Sequence, residues 1–391
     1  MEISRPKITG EVKVSLDEFK GVKNIPLYKK ALEDFGKEKV TQLLEVILGG
    51  AILLDSSDIH IEPEEDDIKL RLRIDGILHD ATTFDFKAYK TLLSRIKLLS
   101  GIKLNVNDRP QDGRFTILII EKDSKNATNE TVIEIRTSTL PSEYGETIVL
   151  RILNPKNLIE IEALGLRKDL VEIFKKEIKK PNGMIIVTGP TGSGKKTTLY
   201  AVLKRINNPQ IKIITIEDPV EYHLEGLSQT QVDAKKGYTF ASGLKAIVRQ
   251  DPDVILIGEI RDLETAEIAC QAALTGHLVF STLHTNDASG AIARLVDLGV
   301  RTVSISPAIN MVVAQRLPRK VCPKCVKLVA PSSTESKKIK DGLKGVKKEI
   351  LPKVFFQSKF KIPQAQGCKE CNNTGYRKRI GIYETFLVDD E

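Results

Sequence analysis

Tryptophan is absent from this chain of 391 residues, and aromatic residues together make up only 5% of it. Platforms for stacking single-stranded nucleic acid are therefore scarce, and no nucleic-acid partner is expected. Long apolar runs are missing too: nothing approaches the roughly 18–20 unbroken apolar residues of a membrane span. The best stretch, Leu43 to Leu54, is interrupted by Glu45 and a Gly49-Gly50 pair and reads as a buried helix. The opening MEISRPKITG has no apolar signal segment, so the expected compartment is the cytoplasm. There the triplets Asn126-Ala-Thr and Asn129-Glu-Thr are chance matches to a glycosylation signal. The five cysteines are read as ligands or core residues rather than disulfides. Nor is one sign of charge in large excess: 60 Lys+Arg against 52 Asp+Glu give +8. That permits an acidic surface or partner without demanding nucleic acid.

What is present fits a soluble globular chain, 41% hydrophobic and 29% charged, long enough for two or three domains. Residues 1–38 are Lys-rich with weak periodicity, as in a leader or the remnant of a further N-terminal domain. Residues 39–153 read as an α+β domain. Helical spacing runs from Val40 to Leu54; Ile68, Leu70, Leu72 and Ile74 then alternate with charged residues, and Asp75-Gly76 marks a two-residue hairpin turn. A helix from Lys87 to Ser100 is closed by Gly101, and Phe115–Ile120 and Val132–Ile135 form another strand pair. Residues 154–162 are a linker. From 163 to 391 the pattern becomes α/β, with continuous apolar strands Met184–Thr188, Ile211–Ile216, Val254–Ile257 and Leu278–Leu283 between helices. Such runs suit a parallel sheet covered on both faces.

The strand Met184–Thr188 leads into Gly189, Pro190, Thr191, Gly192, Ser193, Gly194 and Lys195, with a helix beginning there. In that context the glycines let backbone N–H groups converge on a phosphate, the helix N-terminus adds partial positive charge, and Lys195 neutralises the β- and γ-phosphates. The pattern is that of an ATP site, with one defect. The residue after the lysine is ordinarily Ser or Thr, whose hydroxyl coordinates Mg²⁺. Here it is Lys196. Thr197 does not simply take over, since one step along a helix turns the side chain by about 100°. An ammonium near the metal position repels Mg²⁺ and can itself pair with phosphate. Nucleotide binding with weakened Mg²⁺ coordination and slow hydrolysis is the expectation.

Two further strands end in carboxylates, Glu217 and Glu221 after Ile216, and Glu259 after Gly258. In an open parallel sheet ligands lie beyond the carboxyl ends of the strands, so these acids can converge on the phosphates, one near Mg²⁺ and another polarising water. His277 and His284 flank the strand Leu278–Leu283, where phosphate sensing or positioning competes with a structural role. His60, His79 and His223 are read as structural. Cys322, Cys325, Cys368 and Cys371 form CxxC…CxxC with 42 residues between the pairs, a pattern that completes a closed, structural Zn²⁺ site at about 320–375. Redox disulfides are the alternative. Cys270 reads as core.

Taken together, these boxes resemble the secretion ATPase family of type II secretion (general secretory pathway protein E-like) and type IV pilus-assembly ATPases. The first is GPTGSGK followed by Lys196-Thr197-Thr198-Leu199-Tyr200. Ile216 to Tyr222 is the acidic box, Arg249 to Asp262 the Walker B-like box, and Leu274 to Asn286 the histidine box. Upstream, Ser57 to Pro63, Arg73-Ile74-Asp75-Gly76 and Arg109 to Arg114 are similar to the family's second N-terminal domain. The resemblance covers about residues 40–391. It implies a P-loop NTPase (RecA-like) ATPase domain preceded by a smaller α+β domain, with a tetracysteine zinc module.

It also implies a cytoplasmic homo-hexamer, peripheral on the inner membrane through a platform protein and a cytoplasmic adaptor. ATP binding would close the N-terminal domain onto the ATPase domain, and hydrolysis would reopen it. By the family pattern Glu259 is the Walker B-like acid, Glu217 and Glu221 orient water, and Arg136 and Arg151 face the γ-phosphate. Without the resemblance those arginines are ordinary solvated strand residues. Type II secretion, pilus extension and DNA uptake all fit these boxes, and the tetracysteine module leans toward assembly and secretion. A nucleotide-binding scaffold with little turnover is the alternative, resting on Lys196, and a nucleic-acid motor is a further rival opposed by the scarce aromatics.

Overall fold

The computed structural model describes residues 10–35, 40–122, 128–346 and 360–388. Asn126 and the end Asp389-Asp390-Glu391 lie outside them. The chain divides into two compact units, one of Met1–Ile152 with Arg319–Arg379, the other of Leu153–Pro318 with Ile380–Glu391. The cysteine-bearing segment therefore groups with the N-terminal α+β unit, whereas the sequence reading attaches it to the ATPase domain.

In the first unit the chain runs β1 (Glu11–Ser15), α1 (Ile25–Phe35), α2 (Val40–Leu53), β2 (Asp58–Pro63), β3 (Ile68–Ile74), β4 (Ile77–Phe84), α3 (Phe86–Leu99), β5 (Gln111–Lys122), β6 (Thr128–Ser142) and β7 (Gly145–Leu153). The strands form one sheet in the order β1-β5-β6-β7-β2-β3-β4. Alternation decides its faces: Leu70 and Leu72, Phe115 and Ile117, and Ile148 and Leu150 are buried with α2 and α3, while Arg71, Arg114 and Arg151 lie on the other face. The Asp75-Gly76 turn has positive φ at both residues, +51° and +86°, as a two-residue hairpin requires. The β5–β6 pairing continues through Glu121↔Asn129 and Lys122↔Thr128, so this hairpin is longer than its apolar core suggests.

Residues 10–35 are not a loose leader. β1 pairs in parallel with β5, and Val12, Val14, Phe19, Tyr28 and Leu32 are buried in the same core. The Gly49-Gly50 pair explains how they fit against α2. A Cβ on Gly49 would stand 2.6 Å from the Phe19 ring, and one on Gly50 would stand 2.2 Å from the Tyr28 ring. Gly50→Ala is therefore expected to destabilise the first unit by about 1–3 kcal/mol, through overpacking that outweighs the gain in helix propensity. Denaturant unfolding measures it, and an unchanged or raised midpoint would contradict this packing.

The rest of the first unit is the cysteine segment: β14 (Arg319–Val321), β15 (Lys327–Val329), α10 (Ser333–Gly342), β16 (Ile362–Gln364) and β17 (Tyr376–Arg379). β14 pairs with β17 and β15 with β16, both antiparallel. α10, capped by Ser332 and Glu335, is a helical excursion between the two Cys pairs.

The second unit contains α4 (Lys168–Glu177), β8 (Gly183–Thr188), α5 (Lys195–Ile206), β9 (Ile213–Glu217), β10 (Ser228–Gln231), α6 (Phe240–Val248), β11 (Val254–Ile257), α7 (Leu263–Leu274), β12 (Leu278–Leu283), α8 (Ser289–Asp297), α9 (Thr302–Ala308), β13 (Ile309–Arg316) and β18 (Ile382–Leu387). The sheet order is β10-β9-β11-β12-β8-β13-β18, parallel except for β18 at one edge. The central strands β9, β11, β12, β8 and β13 feed both faces. Met184, Ile186, Ile255 and Ile257 pack with α6 and α7, and Ile185, Val187, Leu256 and Phe280 pack with α4 and α5. Continuous burial along β8, β11 and β12 follows from that double cover. Cys270 is buried on α7, and burial pushes its thiol up to about 11.

Candidate functional site

The parallel registers Thr188↔Leu283, Ile257↔Ser281 and Ile257↔Ile216 bring the carboxyl ends of β8, β12, β11 and β9 to one edge of the second unit. Gly189–Lys195, His284, Glu259 and Glu217 follow those strand ends, so one sheet edge collects them. The loop backbone needs its glycines. Gly189 has φ +144°, and a Cβ there would lie 2.4 Å from the Gln315 carbonyl oxygen; Gly194, with φ +89°, is the residue that opens α5. Thr188 ties the loop base to the histidine segment, its hydroxyl accepting from the Thr285 N–H at 2.8 Å. Ser193 Oγ is buried and finds no hydrogen-bond partner among the described residues.

Lys195 folds over the loop, its Nζ donating to the Gly189 carbonyl at 2.7 Å and the Pro190 carbonyl at 3.2 Å. Burial lowers its pKa; Glu259 pulls the other way, while Arg316 and Lys196 add to the lowering. Glu259 accepts from Arg261 and lies 3.6 Å from His284 Nε2. Burial, and then the Lys195 charge, holds the His284 imidazolium below its usual range against the pull of Glu259. A cation, an acid and an imidazole thus meet beside a backbone cradle, a set suited to holding phosphate and ordering water.

The acidic box divides into two environments. Glu217 is 1% exposed, and its oxygens accept from Tyr200 Oη at 2.7 Å, Thr215 Oγ1 at 2.8 Å and Gln229 Nε2 at 3.4 Å. With both oxygens occupied, Glu217 braces the segment rather than offering a free base. Glu221 accepts instead from Lys196 Nζ at 2.6 Å, and the same ammonium donates to the Pro219 carbonyl at 3.3 Å. The residue next to the loop lysine is therefore paired with the acid that the resemblance assigns to water.

His277 does not join this group. It precedes β12, and Leu278 is in register with Gly183 at the opposite sheet edge; its Nδ1 lies 3.0 Å from the Ala272 carbonyl oxygen at the end of α7. Arg136 and Arg151 belong to the first unit, where Arg136 Nε is 3.6 Å from Glu134 and Arg151 Nε donates to Asp58 at 2.9 Å. Two bracing residues escaped the sequence reading. Tyr200, buried on α5, accepts from the Glu221 and Tyr222 N–H groups at 3.2 and 3.4 Å while donating to Glu217. Its signal was available: it stands four residues after Lys196 on one helical face. Gln315, from β13, accepts from Thr198 Oγ1 at 2.7 Å, and nothing in its local sequence marks it.

In the first unit the four cysteine sulfurs lie within 4.8 Å of one another, with Cys322–Cys368, Cys325–Cys371 and Cys368–Cys371 at 4.0, 3.9 and 3.7 Å. A tetrahedron with Zn–S near 2.3 Å spaces its sulfurs about 3.8 Å apart, so the set fits a four-thiolate metal. N–H groups of Gly367, Cys368 and Gly375 donate to sulfur at 3.2–3.4 Å. Burial opposes the Cys371 thiolate, but the N–H groups of Cys368 and Gly375 overcome it and bring the pKa down to about 7.

The sequence profile of the family described as Type II/IV secretion system protein matches residues 33–391. The "Type II secretion system ATPase E" of Vibrio cholerae is 43% identical over 376 residues, 96% of this chain and 70% of that one. The "Type IV pilus assembly ATPase PilB" of Thermus thermophilus is 43% identical over 351 residues, 90% of this chain and 37% of that one. Among solved structures, the pilus retraction motor PilT with bound ADP is similar, with TM-score 0.53 and 32% identity over 71% of this chain and 79% of that one. The α/β fold with its phosphate-loop parallel sheet is thus the one the sequence led us to expect. The chain belongs to the Type II/IV secretion system protein family.

Proposed function

We propose that this chain is a motor ATPase that couples ATP binding and hydrolysis to assembly of a type II secretion pseudopilus or a type IV pilus. The observation that carries the reading is the single sheet edge where the phosphate loop, Lys195, Glu259 and His284 converge. In this reading the loop N–H groups and the start of α5 hold the phosphates. Lys195 leaves the Gly189 and Pro190 carbonyls to neutralise them. Glu259 orders water, with Arg261 and His284 fixing its carboxylate. Glu217 and Tyr200 hold the acidic box in place.

The residues present do not fit the usual magnesium arrangement, because position 196 supplies an ammonium where an oxygen is needed. Turnover is accordingly slow in this reading. Cys322, Cys325, Cys368 and Cys371 would hold zinc in a closed, structural site. By its resemblance to the secretion and pilus-assembly ATPases, the working form is a homo-hexamer seated on an inner-membrane platform protein through a cytoplasmic adaptor.

Calorimetric ATP binding by the full chain tests the reading. Lys195→Ala removes a charge-assisted hydrogen bond to phosphate, worth about 1.5–3 kcal/mol, and is expected to weaken binding by roughly tenfold to a hundredfold. Undiminished affinity in that variant would contradict it.

A further inference from the structure

Residue 196 lies in the first turn of α5, where a phosphate loop ordinarily presents a hydroxyl oxygen to a divalent cation. Magnesium demands close, near-octahedral oxygen donors, and lysine has three N–H donors and no acceptor. The ammonium is nevertheless held. Nζ donates to Glu221 Oε1 at 2.6 Å and to the Pro219 carbonyl at 3.3 Å, with side-chain exposures of 37% for Lys196 and 17% for Glu221. A positive charge is thus built into the chain beside the loop, and its four-carbon stem gives it reach.

We propose that Lys196 takes over the counter-charge role of a divalent cation, so that this chain binds nucleotide without Mg²⁺, and that Glu221 holds the ammonium until phosphate arrives. The proposal rests on the reading of Gly189–Lys195 as a nucleotide phosphate site. Electrostatics favour it in both directions. Free ADP meets Lys195, Lys196 and the helix N-terminus, which together present about two and a half positive charges. A magnesium-bound nucleotide brings a dication toward a fixed ammonium, so the metal adds repulsion along with charge. Glu221 is the only acid whose bond to that ammonium is resolved among the described residues, and phosphate has to displace it.

ADP binding measured calorimetrically in Mg²⁺ and in EDTA tests the proposal. The unaltered chain is expected to bind ADP with affinities within about threefold in the two buffers. Lys196→Thr restores the oxygen and removes the charge, and its affinity is expected to fall about tenfold or more in EDTA relative to Mg²⁺. Glu221→Gln, which frees the ammonium, is expected to tighten binding in EDTA severalfold. A residue with a merely structural role would change affinity equally in both buffers. An unaltered chain that needs Mg²⁺ would overturn the proposal, as would a threonine variant that stays indifferent to it. No ADP binding in either buffer would instead overturn the phosphate-site reading on which the proposal stands.

Discussion

Lys196→Thr is expected to raise ATP turnover about a hundredfold over the unaltered chain at saturating ATP and Mg²⁺. The substitution changes two things at once. It gives the first turn of α5 a hydroxyl oxygen, and it releases Glu221 from the 2.6 Å bond to the ammonium. Charge stabilisation by a well-placed metal is worth several kcal/mol, and each 1.36 kcal/mol is tenfold in rate, which sets the scale. Stability should change little, because the pair is partly exposed and its loss costs at most about 1 kcal/mol. Steady-state turnover with both proteins at saturating nucleotide is the measurement. Equal rates would show that position 196 does not decide hydrolysis, and that the scaffold alternative has to rest on something other than this residue.

Chelating the zinc proposed for the tetracysteine cluster is expected to loosen much of the first unit. Apparent binding energies of structural zinc reach about 10–16 kcal/mol, comparable to the stability of a domain, and a cluster of four thiols has little else to hold it. The loss would spread through two hydrogen bonds within that unit. Asn372, the residue after Cys371, accepts from the Ile25 N–H at 2.9 Å at the start of α1, and Asp75 of the hairpin turn accepts from the Lys378 N–H at 2.6 Å. Within the cysteine segment itself, Arg319 of β14 stacks on Tyr376 of β17, 4.2 Å from the ring centroid.

Hydrogen exchange after chelation is therefore expected to rise at 319–329, 362–379, 25–28 and 74–77. The strands β8, β11 and β12 of the second unit should keep their protection. Cys371→Ser should reproduce the pattern without a chelator. Exchange confined to the cysteine segment, with α1 and the Asp75-Gly76 turn unmoved, would show that the segment is tethered to this unit without supporting it.

Much of this was legible residue by residue. The alternation Ile68 to Ile74 and the Asp75-Gly76 turn are local signals, and they gave a hairpin with the pairing Ile74↔Ile77. The phosphate loop was readable because its strand, glycines, lysine and helix are contiguous. So was the convergence of Glu259 and His284, since parallel strands share an edge by necessity. What escaped depends on partners far away in sequence. Glu11–Ser15 is five residues long and Lys-rich in its surroundings, and it becomes a strand only because Thr116–Ile120 lies beside it, about a hundred residues on. The cysteine segment sits next to the ATPase strands in sequence, yet its hydrogen bonds run to Ile25 and Asp75.

His277 misleads in a different way. Two histidines bracketing one strand look like a pair, but a strand of six residues separates its ends by roughly 20 Å, so only one of them reaches the phosphate edge. Glu217 shows the limit of reading charge alone: an acid after a strand looks like a base until Tyr200, Thr215 and Gln229 are seen to occupy it.

In the proposed reading the carboxyl edge of the second unit's sheet holds the phosphates of ATP. A crystal structure of the full chain with bound ATP tests it most directly. The expected result places the β-phosphate within hydrogen-bond distance of the N–H groups of Gly192 to Lys195. Lys195 Nζ should then be lifted from the Gly189 and Pro190 carbonyls onto phosphate oxygen. Nucleotide bound elsewhere, or Lys195 still resting on those carbonyls with ATP in place, would contradict the account.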